Sequence, residues 1–414
     1  MKLQGKNILL GVAGGIAAYK VVQVARDLTV AGAKVHVLMT PAATRFVTPL
    51  TFQALTRQKV YTDIWEGWTE EDQGHISLAR EADLALIAPA TGDILARLAL
   101  GLADDVITTT MLGLPRHVPV LLAPAMETHM YEHPATRQHL QTLVEWGAQV
   151  IEPGYGRLAS GAVGTGRMAE PAQLVAAVRL ALGQQGGSLR GKRLVITAGG
   201  TQEAIDPVRY IGNRSSGQMG YALAQEALDR GAEVILISGP VRLDPPYGSH
   251  FVSVTSTLEM QHAIHQALWE TRPDALIMAA AVADFRPENP SGQKIKKDGS
   301  GKAPDIKLTL NPDILAGLKD LEGLDNMLRV GFAAETEQLH QNAEKKLLNK
   351  GLDLIIANEA VSSIGQPDNE ITMIERGGLV TQLERMPKEA VAEHILDKVS
   401  EMLARQSGQT IAVS

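Results

Sequence analysis

The sequence contains no cysteine, which excludes disulfides, thiolate metal sites and a cysteine nucleophile together. It has no apolar run of the ~18 residues that a membrane span requires. Its start, MKLQGKNILLGV, leads into a strand-like segment rather than a secretory leader, so a cytoplasmic protein is expected. Positive charge is not in excess either: 39 Lys and Arg stand against 46 Asp and Glu, for a net charge of −7. No overall basic field exists for gripping nucleic acid. What is present is an ordinary globular balance, 45% apolar and 21% charged residues. The 414 residues exceed one average domain of ~100–200 residues, so two or three packed domains are expected.

Short apolar runs alternate with helix-period segments through the first 180 or so residues, the pattern of βαβ units around a parallel sheet. Strands are predicted at 7–12, 34–39, 83–88 and 118–123. Between the first two, Ala17, Val21, Val24 and Leu28 recur at helical spacing and Gly32 stands where the helix should end. The stretch GQQGGSLRGK at 183–192 reads as a flexible connection. A second series follows: strands at 193–197, 233–238, 275–280, 328–333 and 352–357, with helices at 217–230 and 337–350. The expectation is two open, Rossmann-like α/β domains with parallel sheets, 1–190 and 191–414, whose ligands lie beyond the carboxyl ends of the strands.

In the first half the turn GVAGGIAAYK, 11–20, places Gly14 and Gly15 at a helix start, where free backbone amides can hold an anion. The spacing is not GxGxxG, and Thr40 rather than an acid ends the second strand, which disfavours a dinucleotide. A glycine pair can also be only a tight turn. Two further strand-end loops, APAT at 88–91 and APAME at 123–127, converge on the same sheet edge and favour a site. Histidines 129, 133 and 139 do not make a metal site, because Pro134 interrupts the helix that would align the first two.

The ordered set GVAGGIAAYK, GHI at 74–76, APAT, PAMExxM at 124–130 and GRLASGAVGTGRM at 156–168 resembles the flavin-dependent phosphopantothenoylcysteine decarboxylases. The resemblance implies FMN bound by Gly14, Gly15, Ile16, Thr40, Ala90 and Thr91, with His75 as catalytic base. Two positions depart from the family pattern. Glu127 stands where an asparagine meets the substrate carboxylate, and Ser160 stands where a cysteine donates a proton. A hydroxyl is a far weaker acid than a thiol. Either decarboxylation is lost in an FMN-binding domain, or Glu127 and Ser160 form a working variant in which a protonated carboxyl or a water supplies the proton.

In the second half, TAGGTQEAIDPVRYIGNRSSGQMG at 197–220 starts like a phosphate loop but delays its helix. A long polar loop at a strand end is usually functional. Its Asp206, Arg209, Asn213, Arg214, Ser215 and Ser216 suit a phosphate or carboxylate ligand. AAAVADF at 279–285, KIKK at 294–297, NPDIL at 311–315, GFAAET at 331–336 and the i, i+4 pair Lys346 and Lys350 complete the set. Each lysine group alone reads equally as solvated charge. Together they resemble the phosphopantothenate–cysteine ligases, which are fused to the decarboxylase in bacteria.

This second resemblance implies CTP and Mg2+, with the metal bridged by the triphosphate. The nucleotide is expected against Met278, Ala279, Ala280, Asp284, Lys294, Asn311, Pro312, Asp313, Ile314, Phe332, Lys346 and Lys350. Asn213 would steady the acyl-cytidylate and Lys294 the transition-state charge. The implied substrates are 4′-phosphopantothenate and L-cysteine, joined to 4′-phosphopantothenoylcysteine and then decarboxylated to 4′-phosphopantetheine. A homo-oligomer is implied as well, decarboxylase trimers joined through ligase dimers, up to a dodecamer. A ligase with a silent flavin half, or a regulatory protein on a retired flavin fold, are the other readings.

Overall fold

The computed structural model describes residues 3–65, 74–296, 304–320, 323–324, 326–335, 339–359, 366, 368–406 and 408. Lys297 of the KIKK run and Thr336 of GFAAET lie outside the described residues. The chain divides into two compact units, Met1–Leu182 and Gly183–Ser414.

The first unit is built on six parallel strands in the order Val60–Tyr61, Lys34–Met39, Asn7–Val12, Leu84–Ala90, Val120–Pro124, Gln149–Val150. Leu84–Ala90 is buried along its whole length, as expected of a central strand covered on both faces. Helix Ala18–Val30 buries Val21, Val24, Ala25 and Leu28, one stripe at helical spacing. Each of the larger side chains contributes about 1.5–3 kcal/mol by leaving water. The strand order reverses between Asn7–Val12 and Leu84–Ala90, which puts the crevice of a doubly wound sheet at their carboxyl ends.

The second unit repeats that plan and extends it. Its sheet runs His250–Ser253, Glu233–Ser238, Arg193–Ala198, Ala275–Met278, Leu328–Glu335, Leu354–Glu359, Asp368–Glu375, Val380–Pro387. The first six strands are parallel and the last two antiparallel. Helix Lys388–Gln406 buries Val391, Ile395, Leu396, Val399 and Leu403 and packs on helix Gln218–Asp229. Arg230 locks the two together, donating to Glu226 at 2.8 Å and Asp397 at 2.7 Å.

Some features differ from the sequence reading. The stretch from 183 is not a flexible connection throughout, because helix Pro171–Gly186 continues into it. Its glycines serve close approach: a Cβ on Gly183 would fall 2.3 Å from Asp229 O, and one on Gly187 2.1 Å from Arg230 O. The antiparallel pair at 368–387 was not foreseen. The fourth strand of the first sheet runs on through Pro89 to Ala90, beyond the end expected at 88.

Candidate functional site

In the first unit three loops meet at the point where strand order reverses. Helix Ala18–Val30 has no side-chain cap and no acid in its first turn; the Ala18 and Lys20 amides donate back to Gly15 O and Ala17 O at 3.0 Å, which leaves the amides of the preceding turn, at Gly14, Gly15 and Ile16, as the donors available to an anion. Gly14 is required by contact: a Cβ there would lie 2.3 Å from Ala42 Cβ, well inside van der Waals distance. Gly15 faces Thr91, whose Cγ2 would be 3.4 Å from an added Cβ. Thr91 caps helix Gly92–Leu100 by accepting from Ile94 N–H at 3.4 Å, which leaves its own hydroxyl proton to donate. Thr40 is tied to the first strand, its amide donating to Val12 O at 3.1 Å while its Oγ1 accepts from Ala43 N–H at 3.2 Å. Ile16 is 58% exposed beside the open helix start.

The third loop is stitched in from both sides. Ala125 N–H donates to Ala90 O at 3.1 Å, and Met126 N–H to Gly166 O at 3.0 Å. Glu127 caps helix Thr128–Glu132, its Oε2 accepting from His129 N–H at 2.7 Å. The carboxylate thus faces a positive helix end. Ser160 stands exposed at the tip of the hairpin Gly154–Arg157/Val163–Arg167. His75 opens helix His75–Glu81, half-buried, with Nδ1 shielded from solvent. His133 is occupied as a cap, its Nδ1 accepting from Ala135 N–H at 3.2 Å.

In the second unit a cleft of about 900 Å³ opens where the strand order reverses. Its lining gathers Asn213–Gly217 from one loop with the first helical turn Gln218–Gly220, Met278–Asp284 from the next loop, and Leu310–Leu315, Phe332, Lys346 and Lys350 from the far side. The loops brace one another. Asn213 Nδ2 donates to Val282 O at 2.9 Å. Asn311 Nδ2 donates to Ala283 O at 2.8 Å and Thr257 Oγ1 at 3.1 Å, and its Oδ1 accepts from Arg286 at 3.0 Å. That side chain is consumed in holding the backbone at 311–314 in place. Asp313 caps helix Ile314–Gly317 and pairs with Lys350 at 3.2 Å, while Lys346 donates to Phe332 O at 3.0 Å.

Lys294 is exposed and is not among the lining residues. Its loop is anchored beside the cleft by Asp206, which accepts from Ile295 N–H at 3.2 Å, Val208 N–H at 2.8 Å and Arg209 N–H at 2.9 Å. Burial works to raise the Asp206 pKa. The backbone amides and the Arg209 charge outweigh it and hold the carboxyl below the ordinary range.

Sequence reasoning missed Gln218, Asn358, Asn369 and Lys388, all of which line the cleft. Asn369 and Lys388 come from the antiparallel strand and the last helix. The signal was present: alternating ITMIE and VTQLE flank a Gly-Gly turn at 377–378, a hairpin pattern.

A flavoprotein family model matches residues 1–183, and one for the DNA/pantothenate metabolism flavoprotein C-terminal domain matches 189–403. The coenzyme A biosynthesis bifunctional protein CoaBC of Bacillus subtilis (strain 168) is 43% identical over 412 residues, 98% of this chain and 99% of that protein. Its namesake from Vibrio cholerae serotype O1 is 44% identical over 405 residues, 97% and 99% of the two chains. A crystal structure of the C-terminal domain of a protein of that name is 40% identical, covering 53% of this chain and 100% of its own, with a TM-score of 0.46.

Proposed function

The chain belongs to the family of coenzyme A biosynthesis bifunctional proteins, and from that premise we propose how its two halves divide the work. It is a phosphopantothenate–cysteine ligase and a phosphopantothenoylcysteine decarboxylase. The ligase half, from about residue 191, takes CTP, 4′-phosphopantothenate and cysteine. The carboxylate oxygen attacks the α-phosphorus and pyrophosphate leaves; the amine of cysteine then attacks the acyl carbon and CMP leaves. Negative charge meets negative charge in the first step, so cations must be in place beforehand.

Lys346 and Lys350 supply that charge at the cleft, and Mg2+ travels with the triphosphate. Asn213 has two amide protons and spends one on Val282 O, leaving the other for the acyl oxygen. Backbone at Met278, Ala279, Ala280 and Asn311–Ile314, with Asp284 and Phe332, lines the nucleotide. Lys294 reaches the reacting phosphate when its exposed loop turns inward. Carrying the reading is the convergence of these groups, Lys294 excepted, on one cleft at the strand-order reversal.

The decarboxylase half, to about residue 190, binds FMN. The cradle fits it: a glycine turn leading into a helix that has no side-chain cap, a close approach that only Gly14 permits, and the Thr91 hydroxyl. The isoalloxazine supplies the electron acceptor that activates the substrate's thiol end for loss of CO2. Gly14, Gly15 and Ile16 hold the phosphate, with Thr40, Ala90 and Thr91 against the cofactor. His75 accepts a proton near neutral pH. Glu127, turned to its helix cap, leaves the substrate carboxylate room, and Ser160 or a water it orients returns the proton. We place the protein in the cytoplasm as a homo-oligomer, with dimeric ligase and trimeric decarboxylase contacts; among the described residues no helix is long and apolar enough to cross a membrane.

Turnover with phosphopantothenate, cysteine and each nucleoside triphosphate in turn tests the ligase reading. Pyrophosphate release is expected with CTP and at least ~10-fold less with ATP, a difference of ~1.4 kcal/mol; equal rates would remove the cytidine assignment.

A further inference from the structure

One wall of the cleft has no part in the chemistry described so far. It is formed by Gln218, Asn369 and Lys388, from the first turn of helix Gln218–Asp229, the antiparallel strand Asp368–Glu375 and the start of helix Lys388–Gln406. Lys388 is 7% exposed and Asn369 4%. A lysine so placed is costly: burial pushes its pKa below the ordinary value, against the opposing influence of Glu389 and Asp368. Its Nζ donates to Gln218 Oε1 at 3.3 Å and to Gln366 O at 2.5 Å, both neutral acceptors. By contrast, Lys350 on the far side already pairs with Asp313.

Gln218 itself opens a helix whose Ncap, Gly217, offers no side-chain cap. That end carries partial positive charge and first-turn amides without intrahelical acceptors. An ammonium at the positive end of a helix is disfavoured for both elements, and an anion in the cleft relieves both. Asn369 is the independent sign of a ligand. Its Oδ1 is buried with no hydrogen-bond partner among the described residues, so the carboxamide can rotate to offer Nδ2–H without giving up a bond at Oδ1.

We propose that this wall seats the distal phosphates of the nucleoside triphosphate, the part that departs as pyrophosphate. The proposal rests on the nucleotide reading of the cleft. The shared chemistry is a phosphate group, which 4′-phosphopantothenate also carries, so both sources are tested.

Full-length wild type, Lys388→Met and Gln218→Glu are titrated separately with CMP, CTP and 4′-phosphopantothenate. For Lys388→Met the Kd for CTP rises about tenfold or more, the loss of one charge-assisted contact. The Kd values for CMP and 4′-phosphopantothenate stay within about twofold, because neither reaches the wall. Unchanged CTP affinity, an equal loss for CMP, or a loss confined to 4′-phosphopantothenate overturns the assignment. If circular dichroism finds Lys388→Met unfolded, Gln218→Glu decides: its carboxylate beside Lys388 must weaken CTP and spare CMP, and no change overturns the proposal. Wild type that binds neither nucleotide overturns the nucleotide reading itself rather than the role of this wall.

Discussion

The two halves share a strand order and a site position but not a site. In both, the helix after the first strand of the crevice starts without a side-chain cap. Around that common start the N-terminal unit packs tightly, Gly14 pressed on Ala42 and Gly15 facing Thr91. The C-terminal unit interposes a long loop organised by Asp206 and adds an antiparallel pair and a last helix at the sheet edge. The result is a closely packed glycine turn in the first case and a roomy cleft lined by several cationic side chains in the second. Strand order fixes where a ligand sits; loops and edge additions fix what the ligand is.

If the halves are chemically separate, single substitutions should silence one and spare the other. The largest effect is expected from Lys294→Ala, which removes the cation proposed to meet the transition-state charge. Pyrophosphate release should fall by ~10²–10³-fold, while CO2 release from supplied 4′-phosphopantothenoylcysteine stays unchanged. Normal pyrophosphate release would remove Lys294 from the mechanism. Gly14→Val comes next: overpacking against Ala42 costs about 1–3 kcal/mol, so flavin absorbance of the purified protein should drop severalfold with ligation intact. Retained yellow colour would show the cradle lies elsewhere.

Smaller effects probe finer differences. Ser160→Cys supplies the stronger acid for the proton returned once CO2 has left and should raise 4′-phosphopantetheine formation by about tenfold, at the low end of acid–base contributions; no gain means the proton comes from another group. Asp206→Asn leaves Val208 and Arg209 their acceptor but cannot accept from Ile295, and ligation should slow by about threefold, one weak hydrogen bond. Because the Asp206 pKa is held low in the fold, its stabilisation is present above the ordinary carboxylate range. It is lost as pH falls through the lowered folded value. The stability gap between wild type and Asp206→Asn should therefore close on acidification, and a gap that widens in acid would reverse the sign.

Much of this architecture was legible because buried parallel strands read as unbroken apolar runs, such as LALIAPA at 84–90. The strand-end loops followed from it, since order reversal places them together. Two-residue strands such as Val60–Tyr61 and Gln149–Val150 carry too few residues to show a period. Gly183 and Gly187 read as flexibility when their role is backbone contact with Asp229 and Arg230, which no local pattern reveals. Lys388 was invisible for a similar reason. A lysine after Pro387 looks like solvated charge at a helix start, and only the packing of that helix on Gln218–Asp229 buries it.

The central claim is that both halves work in one chain, the flavin half included, despite Glu127 and Ser160. Flavin-loaded wild type given phosphopantothenate, cysteine and CTP, with pyrophosphate and CO2 counted separately, tests it most directly. One CO2 is expected for each pyrophosphate at completion; pyrophosphate accumulating with no CO2 would contradict the account and leave a ligase joined to a silent flavin domain.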